Sequence, residues 1–323
     1  MIPENQGTTM EPAASIVRTE KTAGWKNPFR QMLDNPVILK ELRGRMRGRQ
    51  AFILLTLYLG LIALFIVVVY NTVFGVTGVA SWDPSARQTA GKIIFGTVVL
   101  LELLLLSFIA PGLTAGAITS ERERQTFDLL RTTLLSARSL VLGKLGAAFS
   151  YLFLLILTAL PIQSLAFILG GVGMAEMLIS SLMLVVTALF FCTLGVFFSS
   201  FMKRTLSATV SSYATVLASF LLLILLFFMI AYLESTSYGN YPVRERILTL
   251  VVWFLISINP FMAAVISEVI LVDQQSLFMT NNPMFGSGLS YLLSPWITYV
   301  AVYLGLTVIM IVLSVYKVKR PDR

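Results

Sequence analysis

The sequence predicts an all-α protein that crosses a membrane several times. Of its 323 residues, 57% are hydrophobic and only 12% are charged, against roughly 45–50% and about 25% in ordinary soluble domains. Several uninterrupted apolar stretches also exceed the roughly 18 residues that a helix needs to cross a bilayer. These observations exclude an ordinary soluble enzyme, because lipid rather than one aqueous core must cover most of the side chains.

Six apolar stretches are long enough to form spans, and one further stretch is ambiguous. The predicted spans lie near 52–73, 93–117, 140–169, 177–199, 207–232 and 296–316. The ambiguous stretch, 247–272, contains Asn259-Pro260 near its middle. Since proline removes a backbone donor and clashes with the preceding turn, we expect two short helical pieces there, forming a re-entrant hairpin before the last span.

The distribution of basic residues favours six spans over seven. With six, the N-terminus, the loop between spans two and three with Lys144, the Lys203-Arg204 pair and the basic tail at 317–323 share one side of the membrane. That side then carries all of the 24 Lys and Arg residues except Arg87, Lys92, Arg244 and Arg246. The positive-inside rule predicts such a skew for the cytoplasmic side. The net charge of +8 therefore indicates topology, and no nucleic-acid partner is expected.

Two residue counts exclude whole classes of chemistry. The chain has no histidine and a single cysteine, Cys192. It therefore has no histidine-ligated metal site, no Ser-His or Cys-His nucleophile pair, and no internal disulfide or cysteine metal cluster. The sequence also lacks a GxxxxGK[ST] loop, so we expect no P-loop nucleotide site on this chain.

The region before the first span is predicted to contain a tail and an interfacial helix. Residues 1–33 are polar, without the apolar core of a signal peptide, and are expected to form a disordered cytoplasmic tail. Residues 34–50 combine an apolar stripe with a basic face, which is typical of a helix lying beside anionic headgroups in membrane lipid. The basic face consists of Lys40, Arg43 and Arg47. The simpler alternative is a positive flank that only orients the first span.

The loop between the second and third spans is predicted to hold a short amphipathic helix over 119–134. Ser120 and Glu123 have the spacing of a capping box, and Phe127, Leu130 and Leu134 follow at helical spacing. A helix held in this way between two spans is suited to docking a partner or transmitting force, since its mixed charges give directional contacts. The alternative is a solvated helix lying on the bilayer.

Two segments of the chain resemble the permease subunits of type-2 ABC exporters: NPVILKELRGRMRGR and APGLTAGAITSERERQTFDLLRTTLLSARSLVLGKL. In that family the loop between spans two and three forms the coupling helix, which sits in a groove of the ATP-binding subunit. Its S-E-R-E-x-x-T-x-x-L-L signature corresponds to residues 120–130. The resemblance implies the following residues for coupling to the ATPase: Glu121, Arg122, Glu123, Arg124, Phe127 and Leu130.

The resemblance also implies partners, cofactors and a location. It implies a separate P-loop ATPase that binds ATP and Mg, a second permease subunit in a homodimer or heterodimer, and no cofactor or catalytic residue on this chain. It places the protein in a bacterial-type plasma membrane with both termini in the cytoplasm. Closure of the ATPase pair would push on the 119–134 helix and switch the cavity from inward to outward access.

Glu102 is the one ionisable residue well inside a predicted span. Because a carboxylate in lipid is unfavourable, it indicates a structural hydrogen bond to another helix, a lining residue of the substrate path, or a proton-relay site. The last possibility gives the alternative function, a secondary transporter driven by an ion gradient; a scaffold that only recruits a soluble complex is a third. Glu268 and Asp273, beyond the proline break, are either a solvated hairpin end or a gate.

Overall fold

The computed structural model describes residues 48–76, 84–126, 136–236, 242–274, 277–280 and 292–319, and these are almost entirely helical. Within them, six helices are long and apolar enough to cross a membrane. This confirms the predicted fold class, an all-α polytopic membrane protein. The predicted tail at 1–33 and the predicted basic face of Lys40, Arg43 and Arg47 lie outside the described residues.

The helices follow the predicted apolar stretches closely. Their bounds are α1 Arg49–Asn71, which continues into a π-helical turn at Thr72–Val76, α2 Pro84–Thr114, α3 Thr119–Glu123, α4 Ala137–Ile168, α5 Met174–Phe201, α6 Thr205–Thr236, α7 Pro242–Ile258, α8 Pro260–Gln274 and α9 Pro295–Lys319. Two short strands, β1 Met279–Thr280 and β2 Leu292–Leu293, pair antiparallel, with Met279 opposite Leu293. α2 begins well before the predicted start at 93, because Pro84 suits the first turn of a helix.

α5 is the central helix of the bundle. It packs against α2, α4, α6 and α9, and 61% of its most apolar segment is buried, compared with 11% for α1 and for α6. One polar contact fixes α9 against it: the hydroxyls of Thr187 and Tyr299 lie 2.6 Å apart, and both residues are fully buried. Many apolar side chains of α1 and α6 are exposed, among them Leu57, Val67, Leu206 and Leu221, as expected for helices in an apolar solvent.

α7 and α8 form a bent pair in the place where the sequence predicts a break. The helix axis turns by 110° between Leu250–Ile258 and Pro260–Leu271. The pair has the geometry of either a broken span or a re-entrant hairpin. Its two helices pack against α9, and α8 also packs against α2.

Asn259 holds the vertex of this bent pair. Its Oδ1 accepts hydrogen bonds from the backbone nitrogens of Phe261 (3.0 Å) and Met262 (3.1 Å), so the side chain caps the start of α8. Its Nδ2 donates to the Ser219 carbonyl on α6 at 2.7 Å. Tyr303 on α9 adds a second tie, since its hydroxyl donates to a carbonyl at the end of α7 at 2.9 Å. The vertex is thus fastened to two neighbouring helices.

Candidate coupling site

Residues 115–126 leave the end of α2 and carry α3. The backbone nitrogen of Ala115 donates to the Pro111 carbonyl at 2.8 Å, and that of Ser120 donates to the Gly116 carbonyl at 3.1 Å. These are the i to i−4 bonds of an α-helix. The 115–126 segment therefore follows α2 through hydrogen-bonded turns rather than through an extended linker.

Ser199, near the end of α5, anchors the start of α3. Its hydroxyl oxygen accepts hydrogen bonds from the backbone nitrogens of Ile118 (2.8 Å) and Thr119 (3.0 Å). All three residues are fully buried. The hydroxyl thereby satisfies donors that the start of a helix leaves without an intrahelical partner. This contact joins α3 to α5 in the interior of the protein.

Glu121 forms a salt bridge with Lys144 on α4. The lysine side chain is 6% exposed and the glutamate side chain 23% exposed, so little water reaches the pair. Salt and solvent screen such a pair much less than one on an open surface. The 115–126 segment is therefore linked to α4 as well as to α5.

Arg122 and Glu123 link the segment to the junction between α5 and α6. The Arg122 guanidinium donates from Nη1 to the carbonyl of Met202, the C-cap residue that follows α5, at 3.1 Å. The Glu123 carboxylate accepts hydrogen bonds from both the backbone nitrogen (2.7 Å) and the hydroxyl (2.8 Å) of Thr205, the first residue of α6. A carboxylate in this position also interacts favourably with the positive end of the α6 dipole.

Two local predictions for this loop are wrong. The predicted capping box does not form: α3 begins at Thr119 with Ile118 as its N-cap and no side-chain cap, because Ser199 supplies the missing acceptor and Glu123 is engaged with Thr205. The helix also does not run on continuously, since it ends at Glu123 and Gln125 adopts a left-handed φ of 58°. One residue in this conformation stops a helix.

The residues expected to couple to an ATPase thus fall into three groups. Glu121, Arg122 and Glu123 contact other helices of the chain. Arg124 is exposed at the end of α3. The predicted apolar face of Phe127 and Leu130 lies outside the described residues.

Close packing brings α2 and α5 together directly beside this segment. A Cβ added to Gly195 of α5 would lie 2.0 Å from the Thr114 hydroxyl oxygen and 3.2 Å from the Ala115 backbone nitrogen. Only glycine permits this approach, because real Cβ atoms essentially never come so near another atom. The end of α2 therefore packs closely against α5 at Gly195.

Glu102 lies in the interior of the bundle. It is fully buried, and its Oε1 accepts a hydrogen bond from Nε2 of Gln163 on α4 at 2.9 Å. Within the described residues, its second carboxylate oxygen has no hydrogen-bond donor. The contact matches the first of the three possibilities for Glu102, a hydrogen bond between neighbouring helices.

Sequence reasoning did not identify the partners of these residues. Lys144 lies 23 residues from Glu121 along the chain, and Thr205 lies 82 residues from Glu123, so no local spacing connects either pair. Gln163 does give a signal, because it is a polar residue inside an otherwise apolar run. Such residues in membrane helices commonly hydrogen-bond to another helix.

The helix bundle, with the 115–126 segment bound to the ends of its helices, is the architecture of a multi-pass membrane protein. A family model described as ABC-2 family transporter protein matches residues 36–323, which is most of the chain. The chain therefore belongs to the ABC-2 transporter family, as the resemblance predicted. It is the membrane subunit, or permease, of an ABC transporter, a class that associates with an ABC ATPase. No curated protein matches the chain.

Proposed function

We propose that this permease belongs to an exporter, in which ATP hydrolysis on a separate P-loop ATPase moves the spans through the 115–126 segment. The observation that supports the proposal is that three charged side chains of α3 each contact a different helix or helix end. Glu121 contacts α4, Arg122 the end of α5, and Glu123 the start of α6. A displacement of this short segment would therefore reach the ends of several helices at once.

In this proposal the three buried or paired charges transmit movement, and the ATPase is contacted by the remaining residues. Arg124 is exposed and free to meet an acidic surface. Phe127 and Leu130 would supply the apolar contact in the groove of the ATPase. The switch itself is a population shift between two packed states of the bundle, biased by the nucleotide on the partner.

The remaining parts of the proposal follow the family resemblance. ATP and Mg bind to the partner ATPase, a second permease subunit, identical or homologous, completes the path, and no cofactor resides on this chain. The protein lies in a bacterial-type plasma membrane with both termini in the cytoplasm, and export is the direction typical of the type-2 family. Lys40, Arg43 and Arg47 would lie at the lipid headgroups on the cytoplasmic side.

A transporter driven by an ion gradient is the competing function, with Glu102 as the titrating group. The hydrogen bond from Gln163 gives Glu102 a structural role that needs no gradient. The two functions also differ in composition, because a gradient-driven transporter works without an ATPase chain.

Purification of the tagged protein from its own host in a mild detergent tests the proposal. A stoichiometric P-loop ATPase should co-purify, and its hydrolysis should fall in the double variant Glu121→Lys, Glu123→Lys. Arg87→Glu is the matched control, because Arg87 is an exposed charge on α2 far along the helix from α3. A monodisperse protein without an ATPase, whose transport collapses with an uncoupler, would overturn the proposal in favour of the ion-driven function.

A further inference from the structure

A cleft of about 330 Å³ lies between α2 and α8, away from the 115–126 segment. Its walls are formed by one face of each helix. The lining residues are Lys92, Ile93, Gly96, Thr97, Leu100, Val265, Glu268 and Val269. This volume is at the lower end of the range that small-molecule sites occupy.

Glu268 supplies a carboxylate to this cleft. No hydrogen-bond donor or basic side chain within the described residues pairs with it, although the residue is partly buried. A carboxylate in such a place is unfavourable unless a cation or a donor accompanies it. The cleft therefore presents an acceptor whose partner the described part of the chain does not supply.

Gly96 makes room for that carboxylate. A Cβ at this position would lie 2.6 Å from one Glu268 carboxylate oxygen and 2.8 Å from the other. Any larger residue would push the carboxylate aside or fill the space in front of it. The carboxylate of Glu268 thus lies against the backbone of α2 at Gly96.

The charges around Glu268 favour a cationic group beside its carboxylate. Glu176 on α5 lies near enough to Glu268 to interact with it electrostatically, which adds a second negative charge. Lys92 lies one helical turn before Gly96, nearer the start of α2, and forms no ion pair with Glu268. Helical side chains lean towards the N-terminus of their helix, so the Lys92 side chain extends along α2 away from Gly96, against which the Glu268 carboxylate lies.

The rest of the cleft is apolar. Ile93 and Val269 are 44% and 48% exposed at its edges, and Leu100 and Val265 complete its walls. A ligand that matches this arrangement has a compact hydrocarbon body and one positive charge. We propose that the cleft binds a small amphipathic organic amine, with its ammonium group on the Glu268 carboxylate and its hydrocarbon body against Ile93, Leu100 and Val265.

Three probes with the same adamantane body and different charge test this site. They are 1-adamantanamine, a cation, 1-adamantanol, which is neutral, and adamantane-1-carboxylate, an anion. Binding to the full-length protein in nanodiscs is measured by isothermal titration calorimetry, with the heat from empty nanodiscs subtracted. We expect the cation to bind about ten-fold or more tightly than the alcohol, since both can donate a hydrogen bond to the carboxylate but only the ammonium adds an attraction between opposite charges. The anion should not bind measurably.

The variants separate the site from general partitioning into the bilayer. Glu268→Gln keeps the shape of the side chain and should remove the preference for the cation. Gly96→Ala should weaken binding by displacing the carboxylate, whereas Gly305→Ala, a helical glycine with no atom within 4 Å of the added Cβ, should leave it unchanged. Equal binding of the three probes, or unchanged cation binding in Glu268→Gln, would overturn the inference. The test does not involve the ATPase, so its outcome is independent of the proposed export function.

Discussion

Both carboxylate oxygens of Glu123 are bound to a single residue, Thr205, at the start of α6, the third membrane helix after α3 along the chain. Oε1 accepts from the Thr205 backbone nitrogen at 2.7 Å and Oε2 from its hydroxyl at 2.8 Å. The Glu123 side chain of α3 thus caps the start of α6. In most helices the side chain of the helix's own N-cap residue performs this role. A movement of α3 away from α6 would therefore have to break two hydrogen bonds.

The Glu121–Lys144 pair gives the first stability prediction. Lys144→Met should destabilise the protein by about 2 kcal/mol, because it leaves a partly shielded carboxylate without its cation, and the value lies between those for exposed and buried pairs. Thermal unfolding in detergent measures the loss. The exchanged variant Glu121→Lys, Lys144→Glu should recover part of it. If the exchanged variant is no more stable than Lys144→Met, the attraction between the two charges does not contribute to stability.

The close packing of α2 against α5 can be tested at Gly195. Gly195→Ala should destabilise the protein by about 1–3 kcal/mol, the usual cost of forcing an extra methyl group into a packed interior. The added Cβ would overlap the Thr114 hydroxyl at 2.0 Å. Gly305→Ala is the control, since it meets open space, and it should be neutral or stabilising by up to about 1 kcal/mol. Equal unfolding temperatures for the two variants would contradict this packing.

Asn259 should stabilise the vertex of the bent pair through two separable contacts. Asn259→Ala removes the cap on α8 and the bond to Ser219, with an expected loss of about 1–2 kcal/mol from the cap alone. Asn259→Asp keeps an oxygen for the cap but cannot donate to the Ser219 carbonyl, so it should lie between Ala and the wild type. Proteolysis or hydrogen exchange of residues 250–271 would measure how readily the bent pair of α7 and α8 unfolds locally at its vertex. An aspartate variant as stable as the wild type would show that the bond to α6 contributes nothing.

Glu102 is expected to act through its hydrogen bond and not through its charge. Glu102→Gln retains an oxygen that can accept from Gln163, so assembly and ATPase stimulation should persist. Glu102→Leu leaves the buried Gln163 amide without this acceptor, which should cost about 1–3 kcal/mol. Should the glutamine variant be as inactive as the leucine variant, a titrating carboxylate is required, and the ion-driven function gains support.

The spans could be predicted because one physical quantity, the length of an apolar run, decides them. Bilayer thickness and helix rise set that length, and each of the six long described helices overlaps one of the predicted runs. The break at Asn259-Pro260 was predictable for a similarly local reason, since proline cannot continue a helix without losing a hydrogen bond.

The candidate site was predictable only in its position along the chain. The Ser120–Glu123 spacing indicated a capping box, but two donors on Thr205, distant in sequence, compete for the same carboxylate. Ser199 binds the start of α3 one helical turn beyond Gly195, where α5 packs closely against the end of α2. Contacts of this kind come from packing between helices, which spacing within one helix does not encode.

The most direct test of the coupling proposal measures whether nucleotide moves α4 relative to α6. Nitroxide labels on cysteines introduced at Arg138 and Ser207, both exposed in the first turns of these helices, report the distance by pulsed electron paramagnetic resonance. The native Cys192 is fully buried and should escape labelling. The distance is compared in the purified complex without nucleotide and with ATP in a hydrolysis-deficient partner.

We expect the distance distribution to shift on ATP binding in the wild-type complex. The shift should disappear in the double variant Glu121→Lys, Glu123→Lys while the ATPase stays bound, because both contacts between α3 and the labelled helices are then broken. A shift of the same size in the double variant would contradict the account, since movement would then reach the spans by a route other than α3.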